Sequence, residues 1–144
     1  GDVVVAATGV RPDIRLATAA GLATEDGRIS VDEHMRTSDR NIYAAGDVTL
    51  AYNVAAGRSV VSEHWRDAAQ QGLVAGLTAA GFPQSWNRVS EFTCKIGKFT
   101  LTYHGWSPPY DSCNVTDRRN GFSATYGCGG GIVGTLDATT SPAS

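Results

Sequence analysis

A carboxylate and a glycine are adjacent at Gly46-Asp47, directly after the apolar run of residues 41–45. If that run is a strand, Asp47 lies at its carboxyl end, the edge where ligands bind in open α/β sheets. Gly46 would let a ligand lie against the main chain, and the Asp47 carboxylate can accept hydrogen bonds from sugar-like hydroxyls. The structural alternative is an aspartate that caps the following turn.

A second segment suited to ligand binding starts a predicted helix over residues 62–80. Ser62 is the predicted N-cap, and Glu63 is predicted in the first turn. Main-chain N–H groups near His64 and Trp65 would then be unpaired, and they would stabilise negative charge on a ligand. Glu63 either pairs with an arginine outside this chain or simply occupies the first turn.

One face of this helix combines a tryptophan with small residues. We expect the face to pack closely against a sheet or a flat ligand, because little side-chain volume intervenes. The tryptophan is either a core anchor or a ring that flanks the ligand. The residues at helical spacing are Trp65, Ala69, Gly72, Leu73 and Gly76.

Strands and turns are predicted on both sides of these segments. Asp26-Gly27 is a hairpin-turn signal, Gly21 is suited to end a short helix, and the segment between Asp47 and Ser62 is predicted to be loose. Besides the long helix, the predicted elements are a strand over 2–7, a helix over 14–20, a strand over 28–31, a loop over 37–41, a strand over 41–45, antiparallel strands over 92–96, 99–103, 111–115, 122–126 and 132–136, and a frayed tail over 137–144.

Several conspicuous residues are interpreted as structural. Residues 129–134 satisfy the G-x-G-x-x-G pattern, but no helix follows, so we predict a hairpin turn there. Cys94, Cys113 and Cys128 contain no C-x-x-C pair and are predicted to be packed thiols. The three histidines lack metal-ligand spacing. No metal site is predicted.

Composition excludes some classes of partner. The formal net charge is −2 and no basic stripe occurs, so nucleic acid is not an expected partner. No apolar run is long enough to cross a bilayer, and no basic n-region marks a signal peptide. With no disulfide framework indicated, we expect cytoplasmic localisation and no membrane association.

Three motifs in series carry a family resemblance: AATGVRP at residues 6–12, TSDRNIYAAGD at 37–47 and EHWRDAAQQG at 63–72. They resemble the pyridine nucleotide-disulfide oxidoreductase superfamily, and most of all its ferredoxin-reductase-like branch, which includes relatives of monodehydroascorbate reductase and apoptosis-inducing factor. The resemblance is dense to residue 82 and thinner to residue 136. No histidine is followed by Glu five residues later, which argues against the disulfide-reducing branch.

The resemblance implies FAD and NAD(P)H as cofactors. Asp47 would bind the ribityl chain of FAD, and the Thr8-Gly9 turn would lie beside the flavin compartment. N–H groups near Trp65 would face the pyrimidine edge of the flavin. No catalytic side chain is expected in this chain. The implied cofactor-binding residues are Thr8, Gly9, Gly46, Asp47, Glu63, His64 and Trp65.

The implied fold class is an α/β fragment of a flavoprotein with two dinucleotide-binding domains, followed by a small α+β C-terminal domain with an antiparallel sheet. Residues 1–12 would be the last strand of the NAD(P)H domain and a crossover, residues 13–82 the second segment of the FAD domain, and residues 83–144 an interface domain, truncated or complete. Neither glycine-rich βαβ unit of such an enzyme is present. Alone, the chain is expected to be marginally stable and catalytically inert.

Three functions are compatible with these motifs. The first is an FAD-dependent NAD(P)H oxidoreductase that passes electrons to a small electron-carrier protein or a low-molecular-weight acceptor, with a homodimer formed through the C-terminal domain. The second is an FAD-fold interaction or regulatory protein without turnover, resembling apoptosis-inducing factor. The third is a stand-alone α+β binding module without FAD affinity. Three ordered motifs favour the first.

Overall fold

The computed structural model describes residues 1–106 and 109–140. Two helices and nine strands form in the described residues, and the strands assemble into two sheets. In chain order the elements are α1 (Arg15–Ala19), β1 (Thr24–Glu25), β2 (Arg28–Val31), β3 (Thr49–Asn53), β4 (Arg58–Val60), α2 (Trp65–Ala79), β5 (Glu91–Ile96), β6 (Phe99–Gly105), β7 (Ser112–Arg118), β8 (Gly121–Cys128) and β9 (Gly131–Thr140).

The first sheet has four strands in the order β1-β2-β3-β4. The predicted hairpin is confirmed: β1 and β2 are antiparallel, and Asp26 and Gly27 between them have φ 49° and 71°. Strand β2 pairs in parallel with β3, which forms an antiparallel pair with β4. The prediction of a loose segment between Asp47 and Ser62 is wrong, because β3 and β4 lie within it. The small residues of this segment gave no clear strand pattern in the sequence.

Two predicted strands do not form. Residues 2–7 form no strand and have no described hydrogen-bond partner, and Val3, Val4 and Val5 are 81–91 % exposed. Residues 41–45 make one isolated bridge, between Tyr43 and Arg36. Both predictions were wrong for the same reason. A strand requires a neighbour along its length. Residues 2–7 have none among the described residues, and residues 42–44 pair only over the short stretch of residues 35–37.

Helix α2 starts later than predicted. His64 is its N-cap, with Nδ1 accepting the Arg66 main-chain N–H at 3.2 Å, so Ser62 is not the cap. The acidic residue of the first turn is Asp67 and not Glu63. The predicted end is confirmed, because Gly81 has φ 88° and its N–H donates to the carbonyl of Thr78.

The buried face of α2 is also different from the predicted one. Its buried residues are Asp67, Gln71, Val74 and Thr78, whereas Trp65 is 72 % exposed. The small-residue face, defined by Trp65, Ala69, Gly72, Leu73 and Gly76, therefore has no close partner in the described residues. Polar side chains occupy the buried face because, as shown below, two of them have hydrogen-bond partners there.

The connection after α2 crosses the first sheet and is anchored by Trp86, which is 1 % exposed. The Trp86 main-chain N–H donates to the carbonyl of Glu33 at 2.8 Å, and its carbonyl accepts the Val54 N–H at 3.0 Å. The Asn53 amide donates to the carbonyl of Arg88 at 2.9 Å. Trp86 shares the core with Met35, Ala51, Val60, Val74 and other apolar residues.

The alternating pattern predicted five antiparallel strands, and the second sheet has them, in the order β5-β6-β9-β8-β7. Gly129 and Gly130, with φ 58° and 83°, form the turn between β8 and β9, so the hairpin interpretation of the glycine-rich run is confirmed. The prediction of a frayed tail is wrong for residues 137–140, because they belong to β9 and Thr140 pairs with Phe99. The rest of that tail, residues 141–144, lies outside the described residues.

These elements give the chain α/β character with two largely antiparallel sheets. The division into parts of two dinucleotide-binding domains and an interface domain stays a prediction. Within residues 1–106 and 109–140, no helix has both the length and the hydropathy to cross a membrane.

Candidate functional site

The Gly46-Asp47 turn is held in place by its main-chain groups. The Gly46 N–H donates to Gln71 Oε1 at 2.7 Å, and its carbonyl accepts the Thr49 N–H at 2.9 Å. Gly46 has φ 83°, and a Cβ built on it would lie 3.4 Å from Ala68 Cβ. Glycine is therefore favoured by the left-handed backbone, with the close approach of α2 as a second constraint.

The side chain of Asp47 forms no hydrogen bond or ion pair with the described residues. Its carbonyl oxygen accepts the Arg28 Nε–H at 3.2 Å, but its exposed carboxylate has no hydrogen-bond partner there. It does not cap the following turn, where the hydroxyl and N–H of Thr49 are bonded to Gly46. The structural alternative is thus not supported, and the carboxylate is available to a ligand.

The start of α2 presents an exposed aromatic ring beside main-chain donors. The first intrahelical bond runs from the Ala68 N–H to the His64 carbonyl at 3.0 Å, so the Trp65 N–H has no partner within the helix. Arg66 Cζ lies 5.9 Å from the centre of the Trp65 ring. The interpretation of Trp65 as a core anchor is wrong, because this ring is largely exposed.

Glu63 follows neither alternative of the sequence analysis. Its carboxylate pairs with the guanidinium of Arg28, a residue of β2 in this same chain. The bond connects the segment that precedes α2 to the strand that also contacts Asp47. Glu63 therefore takes part in positioning the two candidate segments, and about half of its side chain stays exposed.

A cavity of about 480 Å³ opens between the start of α2 and the second sheet. His64 stacks on Phe92 with ring centres 5.7 Å apart, and Phe92 stacks on Tyr103 at 5.3 Å. On the other wall, the carboxylate of Asp67, 4 % exposed, accepts hydroxyl bonds from Ser62 and Ser90. Sequence patterns identified the strands that carry Phe92 and Tyr103 but not the contact of Phe92 with His64, the N-cap of α2.

The row of aromatic rings continues across the second sheet. Tyr103 contacts Tyr126 with ring centres 6.0 Å apart, and Tyr126 contacts Tyr110 at 5.2 Å. Gly134 leaves space for the Tyr103 ring, because a Cβ at position 134 would lie 2.4 Å from the Tyr103 hydroxyl oxygen. Burial, followed by repulsion from Tyr126 and Tyr110, raises the pKa of Tyr103 above its ordinary value.

The structure does not bring Thr8 and Gly9 to these groups. Both residues are exposed, and no described hydrogen bond or ion pair joins them to Asp47 or to the start of α2. Gly9 has φ 80° with open space around it. Of the predicted site residues, the fold thus links Gly46 and Asp47 with Glu63 and, through it, the start of α2.

The cysteines and histidines differ in their surroundings. Cys94 and Cys128 are partly buried, but Cys113 is exposed, so the prediction of three packed thiols is wrong for Cys113. His34 Nδ1 lies 2.6 Å from the carbonyl of Gln84. In residues 1–106 and 109–140, no cluster of three His, Cys, Asp or Glu could hold a metal ion.

The sequence profile of the pyridine nucleotide-disulphide oxidoreductase family matches residues 1–72. The chain belongs to this family. It is 39 % identical over 114 residues to the ferredoxin–NAD(+) reductase component of the anthranilate 1,2-dioxygenase system of Burkholderia cepacia, which covers 79 % of this chain and 24 % of the relative. It is 44 % identical over 101 residues to an NADH oxidase of Methanocaldococcus jannaschii, and this match covers 69 % of this chain and 22 % of the relative.

The fold is similar to a solved reductase as well. The putidaredoxin reductase in its covalent complex with putidaredoxin superposes with a TM-score of 0.78 at 28 % identity, over 90 % of this chain and 31 % of that one. The chain spans about a quarter of the curated relatives that it matches.

Proposed function

We propose that the chain supplies part of the FAD site of an NAD(P)H oxidoreductase. The observation that carries the proposal is the juxtaposition of Asp47, whose carboxylate is free, with the start of α2, through contacts of Arg28 and Gln71. Family membership and the ferredoxin–NAD(+) reductase relative support the class of reaction.

The residues present fit this cofactor. When bound, FAD supplies hydride and electron-transfer chemistry, and the protein orients it and tunes its electronics. The Asp47 carboxylate would accept hydroxyl protons of the ribityl chain beside Gly46. The Trp65 N–H, which has no partner within the helix and lies at the positive end of α2, would stabilise negative charge at the pyrimidine edge. The exposed Trp65 ring would cover the flavin from water.

The reaction would use NAD(P)H as hydride donor, and electrons would leave to a small electron-carrier protein. The relative from Burkholderia cepacia is named for ferredoxin, and the solved neighbour is bound to putidaredoxin. A low-molecular-weight acceptor is the alternative, which the similarity to an NADH oxidase supports. Thr8 and Gly9 would approach the flavin from residues 1–12.

We further propose a homodimer through residues 83–144 and a cytoplasmic location. Strand β7 supports the dimer, because it is exposed along its length and forms a free edge of the second sheet. Exposed edges of this kind can pair with another chain.

The experiment that tests the proposed function is flavin retention by a fusion. The N-terminal part of the Burkholderia cepacia reductase would precede the full 144-residue chain. We expect a protein that keeps the visible flavin band after free FAD is removed and loses it on addition of NADH. A folded, colourless fusion would contradict the proposal, and the native reductase, treated identically, is the positive control.

A further inference from the structure

The two segments of the proposed flavin site come from separate parts of the chain, with β3 and β4 between them. One flavin must contact both, the ribityl chain at Asp47 and the pyrimidine edge at the start of α2. The distance between the segments is therefore a property that the protein has to fix. Such positions must hold to within a fraction of an ångström for a well-oriented site.

Among the hydrogen bonds and ion pairs of residues 1–106 and 109–140, Arg28 is the one side chain that is bonded to both segments. Its Nε–H donates to the carbonyl of Asp47 at 3.2 Å, and its Nη2 pairs with Glu63, the residue before the N-cap. A guanidinium can do this because its donors lie in a rigid plane and point in different directions. One group thus bridges the turn and the helix start.

The environment of Arg28 distinguishes it from the other arginines in the described ion pairs. Its side chain is 14 % exposed, against 90 % for Arg15 and 45 % for Arg66. The Arg15 pair is with Asp13, two residues away, whereas Arg28 and Glu63 are 35 residues apart in sequence. Exposed local pairs contribute little, but a shielded bridge between distant segments restricts their relative position.

Gln71 binds the same turn at a different main-chain group. It is 1 % exposed, and its Oε1 accepts the Gly46 N–H from the second turn of α2. The Gly46-Asp47 turn is therefore bonded at its first N–H by α2 and at its last carbonyl by Arg28. The Asp47 carboxylate has no bond within the described residues and is left for a ligand, and the turn can move relative to α2 only if one of these bonds breaks.

We propose that Arg28 is a positioning residue that sets the separation between the ribityl-binding carboxylate of Asp47 and the start of α2. The inference rests on the proposed function, since it assigns Arg28 to that flavin site. Arg28 does not act on the flavin itself. It acts through Asp47 and Glu63, and Gln71 holds the turn against which it works.

The test compares Arg28→Lys with Arg15→Lys in the fusion described above. Lysine keeps the charge but cannot bridge two acceptors with the same geometry. We expect Arg28→Lys to raise the Kd for FAD roughly tenfold. It should also shift the visible absorption maximum and midpoint potential of the fully saturated flavin. Arg15→Lys should change none of these. A purely structural role of Arg28 would lower the Tm and leave the saturated flavin unchanged.

Two further results keep the inference apart from the proposed function. If the fusion binds FAD and Arg28→Lys has the same Kd, spectrum and potential, Arg28 is not a positioning residue and the proposed function stands. If the unsubstituted fusion folds and retains no flavin, both proposals fail. Should Arg28→Lys not fold, Glu63→Gln replaces it. Loss of that charge should shift the flavin spectrum in the same direction by a smaller amount, and an unshifted spectrum would overturn the inference.

Discussion

The two sheets differ in where their strands find partners. In the second sheet, β5 with β6 and β8 with β9 are joined by short turns, and all five strands form one antiparallel ladder. In the first part of the chain, residues 2–7 have no partner strand and residues 41–45 have one bridge. The same kind of apolar run becomes a strand only where its pairing extends beyond a single bridge.

The comparison also concerns side chains. The second sheet carries a continuous row of aromatic rings, whereas the first packs on α2 through Gln71 and leaves the small-residue face exposed. The proposed flavin site lies in the part whose apolar surface is incompletely covered. Substitutions that affect one part and spare the other are therefore the sharpest way to examine this difference.

The largest effect is expected from Trp86→Ala. The ring is fully buried and anchors the connection between the two sheets, so its loss should cost about 3–5 kcal/mol of unfolding free energy. Trp65→Ala removes the same ring from an exposed position, and we expect a change within about 0.5 kcal/mol. Urea unfolding followed by circular dichroism measures both. Equal losses would contradict the assignment of Trp86 to the core.

Gly121→Ala should have the next largest effect on the unfolding free energy, because it disrupts the pairing of β8 with β9 in the second sheet. A Cβ at Gly121 would lie 1.8 Å from the carbonyl oxygen of Ala138, and φ is 149°. We expect a loss of about 2–3 kcal/mol. Gly97→Ala, at φ 59° with nothing within 4 Å, is the matched control and should cost about 1 kcal/mol. If the two substitutions cost the same, the close approach to β9 is not real.

Asp67→Asn addresses the contact between the two parts. The buried carboxylate accepts hydroxyl bonds from Ser62 and Ser90, and an amide would weaken both, at a cost of about 1–2 kcal/mol. Amide hydrogen exchange should accelerate around Ser90 and the start of α2 and remain unchanged in β8. Asp2→Asn, in the exposed N-terminal segment, provides the control. Uniform acceleration would show that Asp67 stabilises the whole chain and not this contact.

The smallest effect concerns the pKa of Tyr103, which lies above the ordinary value of 10.0. Because the pKa of Tyr103 is higher in the folded state than in the unfolded state, the stabilisation by its protonated hydroxyl is complete below about pH 10. This stabilisation is lost as the pH rises through the folded-state pKa. The unfolding free energy should therefore fall more steeply above that pH in the native chain than in Tyr103→Phe. Identical slopes would show that the ring is not shielded.

Sequence reasoning succeeded where structure is local. Asp26-Gly27 identified the first hairpin, and alternation identified all five strands of the second sheet within a few residues at each end. It failed at residues 49–60, where the strand pair has a weak alternation. It also failed at the start of α2, where the N-cap is His64 and not the predicted Ser62. Propensity rules favour serine at that position, but Ser62 is engaged by Asp67 instead.

The candidate site was predictable in part. Gly46, Asp47 and the start of α2 were identified from their motifs, and the structure links them. The roles of Arg28 and Gln71 could not be found in the sequence, since their partners lie 35 and 25 residues away, although Gln71 itself belongs to the third motif. Burial of a polar helix face is likewise decided by its partners and not by its periodicity.

The most direct measurement of the central claim is the Kd for FAD of Asp47→Ala in the fusion with the Burkholderia cepacia N-terminal part. Asp117→Ala, on the exposed strand β7, serves as the control. We predict that Asp47→Ala weakens FAD binding roughly tenfold or more while the control binds like the unsubstituted fusion. An unchanged Kd for Asp47→Ala would contradict the assignment of the Gly46-Asp47 turn as the flavin-binding element.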